Sequence, residues 1–173
     1  MLADDKYSFK WGDIGDISMG RSNLGNTTNV AVYRLMQYTM RSVLNSRLGS
    51  ELAREMFYES GKLAGQEFCK NRLNCNQPFN LFLAQLQEQM LTLNIGVLRV
   101  EKIDLENMNF VLVVAEDLDC SGLPITNETV CDYDEGFFAG LLGVYSNKDF
   151  EVKEVDCWSK GDRVCRFTAN LRV

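Results

Sequence analysis

The sequence of 173 residues contains no histidine and only two prolines. The lack of histidine excludes Ser-His-Asp and Cys-His catalysis, together with every metal site that uses an imidazole ligand. General acid–base chemistry would fall to carboxylates, lysine, tyrosine or cysteine. Few prolines and an apolar fraction of 46% indicate a folded chain.

Basic residues are outnumbered, with 18 Lys and Arg against 24 Asp and Glu and a formal net charge of −6. This balance argues against general binding to nucleic acid or to anionic membranes, which favour a basic face. No apolar run reaches the roughly 18 residues that indicate a membrane-spanning helix. The acidic N-terminus lacks the apolar core of a signal peptide. We therefore expect a cytoplasmic protein, in which clustered cysteines indicate a metal more often than disulfides.

Residues 1–27 are punctuated by glycines and are predicted to form an irregular arm. Their apolar side chains are expected either to cover the body of the same chain or to cross to a partner subunit. These side chains are Trp11, Ile14, Ile17 and Leu24. The remaining residues, 28–173, are expected to form one domain.

Apolar residues at helical spacing predict three helices in the first half of this domain. The first begins at Thr28 and ends at Gly49. Its apolar positions are Val32, Leu35, Met36, Met40, Val43, Leu44 and Leu48. The second is capped by Ser50. Its expected inward residues are Leu52, Met56, Phe57 and Leu63. The third begins near Pro78, an allowed first-turn residue, and ends near Asn94.

The second half has an extended character with one further helix. Strands are predicted over residues 95–103 and 110–115, the latter central because it is strongly apolar. A fourth helix covers residues 130–145. Strands over residues 150–158 and 163–173 form an antiparallel hairpin around a turn at residues 160–162. The order ααα-ββ-α-ββ predicts an α+β fold with helices packed on a four-stranded antiparallel sheet.

Three cysteines and a glutamate near the C-terminus suggest a metal site. Cys131 is predicted in the first turn of the fourth helix, where free N–H groups and the helix dipole stabilise a thiolate. Cys157 and Cys165 lie on the two strands of the hairpin, so that their sulfurs can face each other. Glu154 precedes Cys157 by three residues, and an ideal strand would place it on the opposite face. A bulge at residues 155–156 is therefore required.

Three thiolates and one carboxylate match zinc in ligand type and number. Four protein ligands leave no open coordination position, so the predicted site is structural. The alternatives are three half-buried free thiols or a disulfide between Cys157 and Cys165, and iron is less favoured than zinc. Cys69 and Cys75 are interpreted as unrelated thiols. Cys120 lies in an acidic loop, which disfavours a reactive thiolate.

The same stretch resembles the 4-vinyl reductase domain family. The matching features are the cysteine at the helix start, the glycine-rich helix and two short patterns that follow it. They are Cys131, the glycines Gly136, Gly140 and Gly143, then Glu154-x-x-Cys157 and Gly161-x-x-x-Cys165-x-Phe167. The run from Arg34 to Gly49 and the segment Gly61-Lys62-Leu63-Ala64-Gly65 also fit. The resemblance extends from about Gly20 onward.

This resemblance implies a fold like that of the Bet-type subunits of the TRAPP vesicle-tethering complex. The family includes sensing domains of phenol-responsive transcription activators, which dimerise and hold a small aromatic ligand in an apolar pocket. Those domains carry a zinc ion bound by three cysteines and a glutamate. Carried over to this chain, the ligands are Cys131, Glu154, Cys157 and Cys165. The sequence lacks an ATPase or DNA-binding domain and a histidine for a phenol, so the ligand is left open.

The leading functional hypothesis is a stand-alone, zinc-containing sensor domain that binds a small hydrophobic or aromatic ligand and forms a homodimer. Its pocket is predicted between the helices and the sheet, although the same residues would also build an ordinary core. They are Phe79, Phe82, Leu83, Leu86, Phe110, Leu112, Phe137 and Leu141.

Two other functions are weighed against the sensor. One is a reductase-associated enzyme acting on a vinyl tetrapyrrole. Reduction needs a hydride or electron source, and no nucleotide-binding loop is present, so an enzyme is the less favoured class. The other is a scaffold protein, in which the small-residue strips Gly61/Gly65 and Gly136/Gly140/Gly143 seat a partner helix or serve packing within the chain.

Overall fold

The structure is a computed structural model that describes residues 8–172. Its helices are α1 (Ile17–Gly20), α2 (Val30–Leu48), α3 (Ser50–Arg72), α4 (Phe79–Thr92) and α5 (Asp132–Ser146). Its strands are β1 (Val97–Asp104), β2 (Asn109–Ala115), β3 (Phe150–Asp156) and β4 (Cys165–Leu171). Short 3-10 segments cover Trp11–Ile14 and Trp158–Lys160. Apart from the one-turn α1 in the arm, the order is the predicted ααα-ββ-α-ββ, and the α+β fold is confirmed.

The four strands form one antiparallel sheet in the order β1-β2-β4-β3. The apolar strand β2 lies inside the sheet, as predicted from its composition. Side chains alternate between a buried face, which α4 and α5 cover, and a more polar outer face. The buried face carries, among others, Phe110, Leu112, Val152 and Phe167. One face of the sheet therefore closes the core, and its strand ends carry the cysteines.

Helices α3 and α5 cross with their backbones in contact at glycines. A Cβ atom added at Gly61 would overlap the carbonyl oxygen of Tyr133, and one added at Gly136 would overlap that of Tyr58. Gly65 and Gly140 are equally crowded by the backbone of the opposite helix. The two small-residue strips thus pack against each other within the chain, and they do not offer free grooves for a partner helix.

The inward face of α3 differs from the predicted one. Phe57 is buried, whereas Leu52, Met56 and Leu63 are exposed. The buried face is marked by small residues that allow the close approach of α5, including Ala53 and the glycines of the crossing. Gly49, with a φ of 87°, ends α2 and also occupies the N-cap of α3, so the predicted Ser50 cap is wrong.

Helix α2 has an unusual orientation, because its polar face points inward. Tyr33, Arg34, Gln37 and Arg41 donate hydrogen bonds to the segment 117–132 that leads from β2 to α5. The opposite face is apolar and its side chains are 51–68% exposed. These side chains are Val32, Leu35, Met36, Met40 and Val43. The predicted periodicity is present, but it marks an outer surface of this chain.

Within residues 8–172, none of the helices combines the length and the apolar character that crossing a membrane would require.

Candidate functional site

The three cysteines singled out in the sequence lie at the ends of three elements. Cys131 is the N-cap residue of α5, immediately before the first turn in which it was predicted. Cys157 directly follows β3, and Cys165 begins β4. The register of the β3–β4 pair shifts between Glu154 and Asp156, which is the bulge that the sequence required. This bulge allows Glu154 and Cys157 to face the same side of the sheet.

A fourth cysteine, Cys120, completes a cluster of sulfurs. The Sγ atoms of Cys120, Cys131, Cys157 and Cys165 all lie within 4.8 Å of one another. The Sγ–Sγ distance is 3.0 Å between Cys120 and Cys165, 3.9 Å between Cys131 and Cys165, and 4.0 Å between Cys131 and Cys157. All four side chains are buried. Four buried cysteines this close together can hold a metal ion.

Sequence reasoning missed Cys120 because it judged only the acidity of the loop. Val114 of β2 pairs with Cys165 of β4, so the loop that leaves β2 starts beside the cluster. Asp117 Oδ1 accepts hydrogen bonds from the backbone N–H groups of Asp119 and Cys120, at 2.8 and 3.1 Å, and folds the loop back. Pairing of β2 with β4 was the signal that would have located Cys120.

Glu154 borders the cluster as a fifth possible donor. Its Oε2 accepts a hydrogen bond of 3.2 Å from the backbone N–H of Cys131. Its Oε1 is buried and has no hydrogen-bond partner among residues 8–172. Burial, followed by the charge of Cys157, raises the pKa of the Glu154 carboxyl to about 8. An orphaned buried oxygen is costly, and a cation beside it would remove that cost.

The electrostatics of the cluster favour one thiolate. Hydrogen bonds from the thiols of Cys120, Cys131 and Cys165 hold the pKa of Cys157 well below its ordinary value. Thiolates are the form in which cysteine binds metals. All six cysteines of the chain are free, so no disulfide competes for these sulfurs. The donor set of soft sulfurs with one carboxylate suits zinc in type.

The hairpin turn holds Cys157 by its backbone. The N–H of Cys157 donates to Asp162 Oδ2 at 3.0 Å, and its carbonyl accepts from the N–H groups of Lys160 and Asp162. Gly161, with a φ of 103°, takes the left-handed conformation that the predicted turn needs. Trp158 Nε1 donates to the Leu123 carbonyl at 3.1 Å, which ties the turn to the loop after Cys120.

A cavity of about 300 Å³ lies next to the cluster, on the other side of the start of α5. The arm covers part of it. The backbone N–H of Trp11 donates to Glu67 Oε2 at 3.2 Å, and its ring packs edge-on against Phe68 at 6.3 Å between centroids. The walls are mostly apolar. They comprise Phe9, Trp11, Ile14, Tyr33, Ala64, Phe68, Ile95, Leu118, Asp119, Tyr133, Asp134 and Phe137.

Two carboxyl groups line this otherwise apolar cavity. Asp119 accepts hydrogen bonds from the Tyr33 hydroxyl and from Gln37 Nε2, both at 2.7 Å. Asp134 is buried, and its Oδ2 has no hydrogen-bond partner among the described residues. Burial, reinforced by Asp119, raises the pKa of Asp134 well above the usual range of a carboxyl. Burial and the same acids raise the pKa of Tyr133 to about 12.

The residues predicted to line a pocket between helices and sheet all lie in the hydrophobic core. Phe137 also lines the 300 Å³ cavity. Phe82, for example, stacks with Tyr145 at 4.3 Å between ring centroids, and Phe79 packs against Phe110 at 5.0 Å. The eight core positions are Phe79, Phe82, Leu83, Leu86, Phe110, Leu112, Phe137 and Leu141.

The architecture is that of a small α+β domain known from several protein classes. A crystal structure of the phenol-responsive sensory domain of the transcription activator PoxR, with phenol, superposes with a TM-score of 0.66 at 15% identity, covering 85% of this chain and 76% of that one. A subunit 3 of the trafficking protein particle complex from Naegleria fowleri, covalently bound to palmitic acid, gives 0.56 at 14%, covering 84% and 98%.

Residues 110–171 match the sequence model of the vinyl-4-reductase domain, so the chain carries this domain. A vinyl-4-reductase family protein from Methanocaldococcus jannaschii superposes with a TM-score of 0.65 at 17% identity, covering 100% of this chain and 98% of that one. The uncharacterized protein MJ0150 from the same organism is 24% identical over 86% of this chain and 79% of its own length. The resemblance to the 4-vinyl reductase domain family is confirmed.

Proposed function

We propose that this protein is a small-molecule sensor domain whose ligand occupies the cavity beside Trp11. The cavity carries the proposal, because it is enclosed by largely apolar walls and holds a few polar groups, as small-molecule sites do. The similar PoxR domain is described as a sensory domain with phenol. We divide the chain into an arm, residues 1–27, and a ligand-binding domain, residues 28–173, and Trp11 brings the arm to the cavity.

Zinc is part of the proposal as a structural ion. Cys131, Cys157 and Cys165 would bind it with either Glu154 or Cys120 as the fourth ligand. Glu154 is supported by its orphaned Oε1, and Cys120 by its Sγ, which lies within 4.8 Å of the other three sulfurs. When bound, the ion would neutralise thiolates at the junction of α5 and the hairpin. Free thiols throughout the chain fit the reducing cytoplasm that we propose as its location.

Ligand binding is expected to change the fluorescence of Trp11. The sequence has two tryptophans, so Trp158→Phe leaves Trp11 as the only one. In this background, 2-phenylethanol, a neutral aromatic probe, should shift the Trp11 emission in a saturable way. Ala64→Leu should weaken the response by about tenfold or more, because the added side chain fills the cavity.

Ser60→Leu is the matched control, because Ser60 lies one turn earlier on α3 and is exposed. It should leave the titration unchanged. An identical response in the Ala64→Leu and Ser60→Leu proteins, with both folded by thermal unfolding, would place any binding outside this cavity. No response to the probe in the parent would count against the sensor function.

The exposed apolar face of α2 is proposed as the interface of a homodimer. Its inward face is already occupied by polar contacts to the segment 117–132, so the apolar face cannot turn into the core of the same chain. A row of apolar side chains with two methionines is typical of an interface core. A second copy that presents the same face would cover it with two-fold symmetry.

Leu35→Glu is expected to convert the dimer to a monomer, since Leu35 is 68% exposed in the single chain and would be buried between two copies. Sedimentation at micromolar concentration measures the change, and circular dichroism verifies the fold. Leu91→Glu on α4, at a position that is 60% exposed outside this face, should leave the mass unchanged. A parent protein that sediments as a monomer would exclude the interface.

A further inference from the structure

The polar groups of the cavity are all of one kind. Asp119 and Asp134 are acids, and Tyr33 and Tyr133 add hydroxyl groups. No lysine, arginine or histidine lines the cavity among the residues that the structure describes. Asp117, which is also buried, lies close behind, since its carboxylate and that of Asp134 both come within 4.8 Å of Cys131 Sγ. The cavity thus has a strongly acidic side within apolar walls.

The arginines of the adjacent helix do not neutralise these acids directly. Arg34 donates to the carbonyl oxygens of Leu118 and Asp117, and Arg41 pairs with Asp132 at 2.6 Å. Within residues 8–172, neither Asp119 nor Asp134 forms an ion pair. Asp119 has two neutral donors in Tyr33 and Gln37, whereas Asp134 Oδ2 has none. A buried carboxyl oxygen without a donor points to a missing one.

We propose that the ligand of this cavity is a protonated amine with a hydrophobic, aromatic body. This inference rests on the proposed sensor function and specifies its ligand class. An ammonium group has three N–H donors and no acceptor, which matches a side lined by carboxylate and hydroxyl oxygens. Its positive charge meets the unpaired Asp134, and charge-assisted hydrogen bonds are about twice as strong as neutral ones.

The walls select the remainder of the ligand. Trp11, Phe68 and Phe137 present aromatic rings, and aromatic faces also attract a cation held close to them. An anionic ligand would meet two carboxyl groups of its own sign. A neutral hydroxyl can donate only one hydrogen bond and brings no charge. The cavity volume of about 300 Å³ lies at the lower end of the range for small-molecule pockets, which favours a single-ring compound.

Three probes of similar size and different charge test the ligand class. Full-length Trp158→Phe protein is titrated with 2-phenylethylamine, 2-phenylethanol and 3-phenylpropanoate, with Trp11 emission as the readout. The amine should bind at least about tenfold more tightly than the alcohol, and the acid should bind most weakly. Equal or weaker binding of the amine relative to the alcohol would overturn the inference.

Asp134→Asn tests the residue. It keeps the size of the side chain and removes its charge, so the amine should lose about tenfold in affinity while the affinity for the alcohol stays unchanged. Asp149→Asn makes the same change in net charge at a half-exposed site away from the cavity and should alter neither titration. Equal losses for amine and alcohol in Asp134→Asn would contradict a charge-specific role. If this variant does not fold, the three-probe comparison in the parent still decides the ligand class.

The outcomes separate the ligand class from the function on which it rests. Binding of the alcohol without preference for the amine would leave the sensor function standing and refute the amine. Failure of all three probes to change Trp11 emission would refute both. Binding of the amine that Ala64→Leu does not weaken would show that the amine binds elsewhere, and would also overturn the proposal.

Discussion

Replacing Cys157 with serine is expected to remove the zinc and to lower the free energy of unfolding by about 4 kcal/mol, because loss of a metal belongs to the largest effects of single substitutions. Cys157 is buried, and the other three thiols of the cluster surround it. A single ion there would join the N-terminus of α5, the β3–β4 hairpin and the loop after β2. Native mass spectrometry of protein purified without added metal gives the zinc content, and urea unfolding gives the stability.

Cys75→Ser provides the control for the loss of a thiol. Cys75 is half-buried, and its Sγ lies 2.9 Å from that of Cys69, outside the cluster. The control should keep its zinc and most of its stability. A parent protein that carries no metal, with Cys157→Ser as stable as Cys75→Ser, would refute the zinc site.

The same measurement on Cys120→Ser and Glu154→Gln identifies the fourth ligand, since only removal of a true ligand should lower the zinc content. If zinc remains in both variants, each of the two four-ligand sets is wrong.

Gly61→Ala and Gly136→Ala are expected to cost about 3–5 kcal/mol each, in the range of severe core overpacking. At both positions the added methyl group meets the backbone of the opposite helix, which cannot rotate away as a side chain can. Relief requires α3 and α5 to separate, and their contact carries much of the helical layer. Urea unfolding measures the loss.

Gly143→Ala is the matched control within α5. The nearest atom to its added methyl group is the Lys148 carbonyl oxygen at 3.2 Å, so only a small adjustment is needed. The helix also gains from the replacement of glycine, by about 1 kcal/mol. We expect a change near zero. Comparable losses in all three variants would mean that the crossing at Gly61 and Gly136 has no special role.

The fold was predictable because hydrophobic period and turn residues agreed with each other. The alternating strands, the turn at Gly161 and the order of elements all depend on short stretches of sequence. The β3 bulge was predicted from chemistry, because Glu154 and Cys157 could share one side of the strand only if the register shifted, and the register does shift.

Residues brought together from distant positions were harder to predict. Cys120 reaches Cys165 through the pairing of β2 with β4, and no local pattern encodes that pairing. The buried face of α3 depends on glycines, which carry no hydrophobic signal, so the exposed Leu52 and Met56 were taken for core. For α2 the period was right and the side was wrong, because hydrogen bonds to the loop decide its orientation.

The buried carboxyls near the cysteines give this protein an unusual response to pH. Burial and the neighbouring Asp119 raise the pKa of Asp117 to about 7, far above its value in an unfolded chain. The folded state therefore keeps a proton that the unfolded state has already lost, and this carboxyl favours folding in mild acid and loses that effect as the pH rises towards 7. Histidine usually dominates titration in this range, and the sequence has none. Acidic side chains thus take over near neutrality the part that imidazoles play in most proteins.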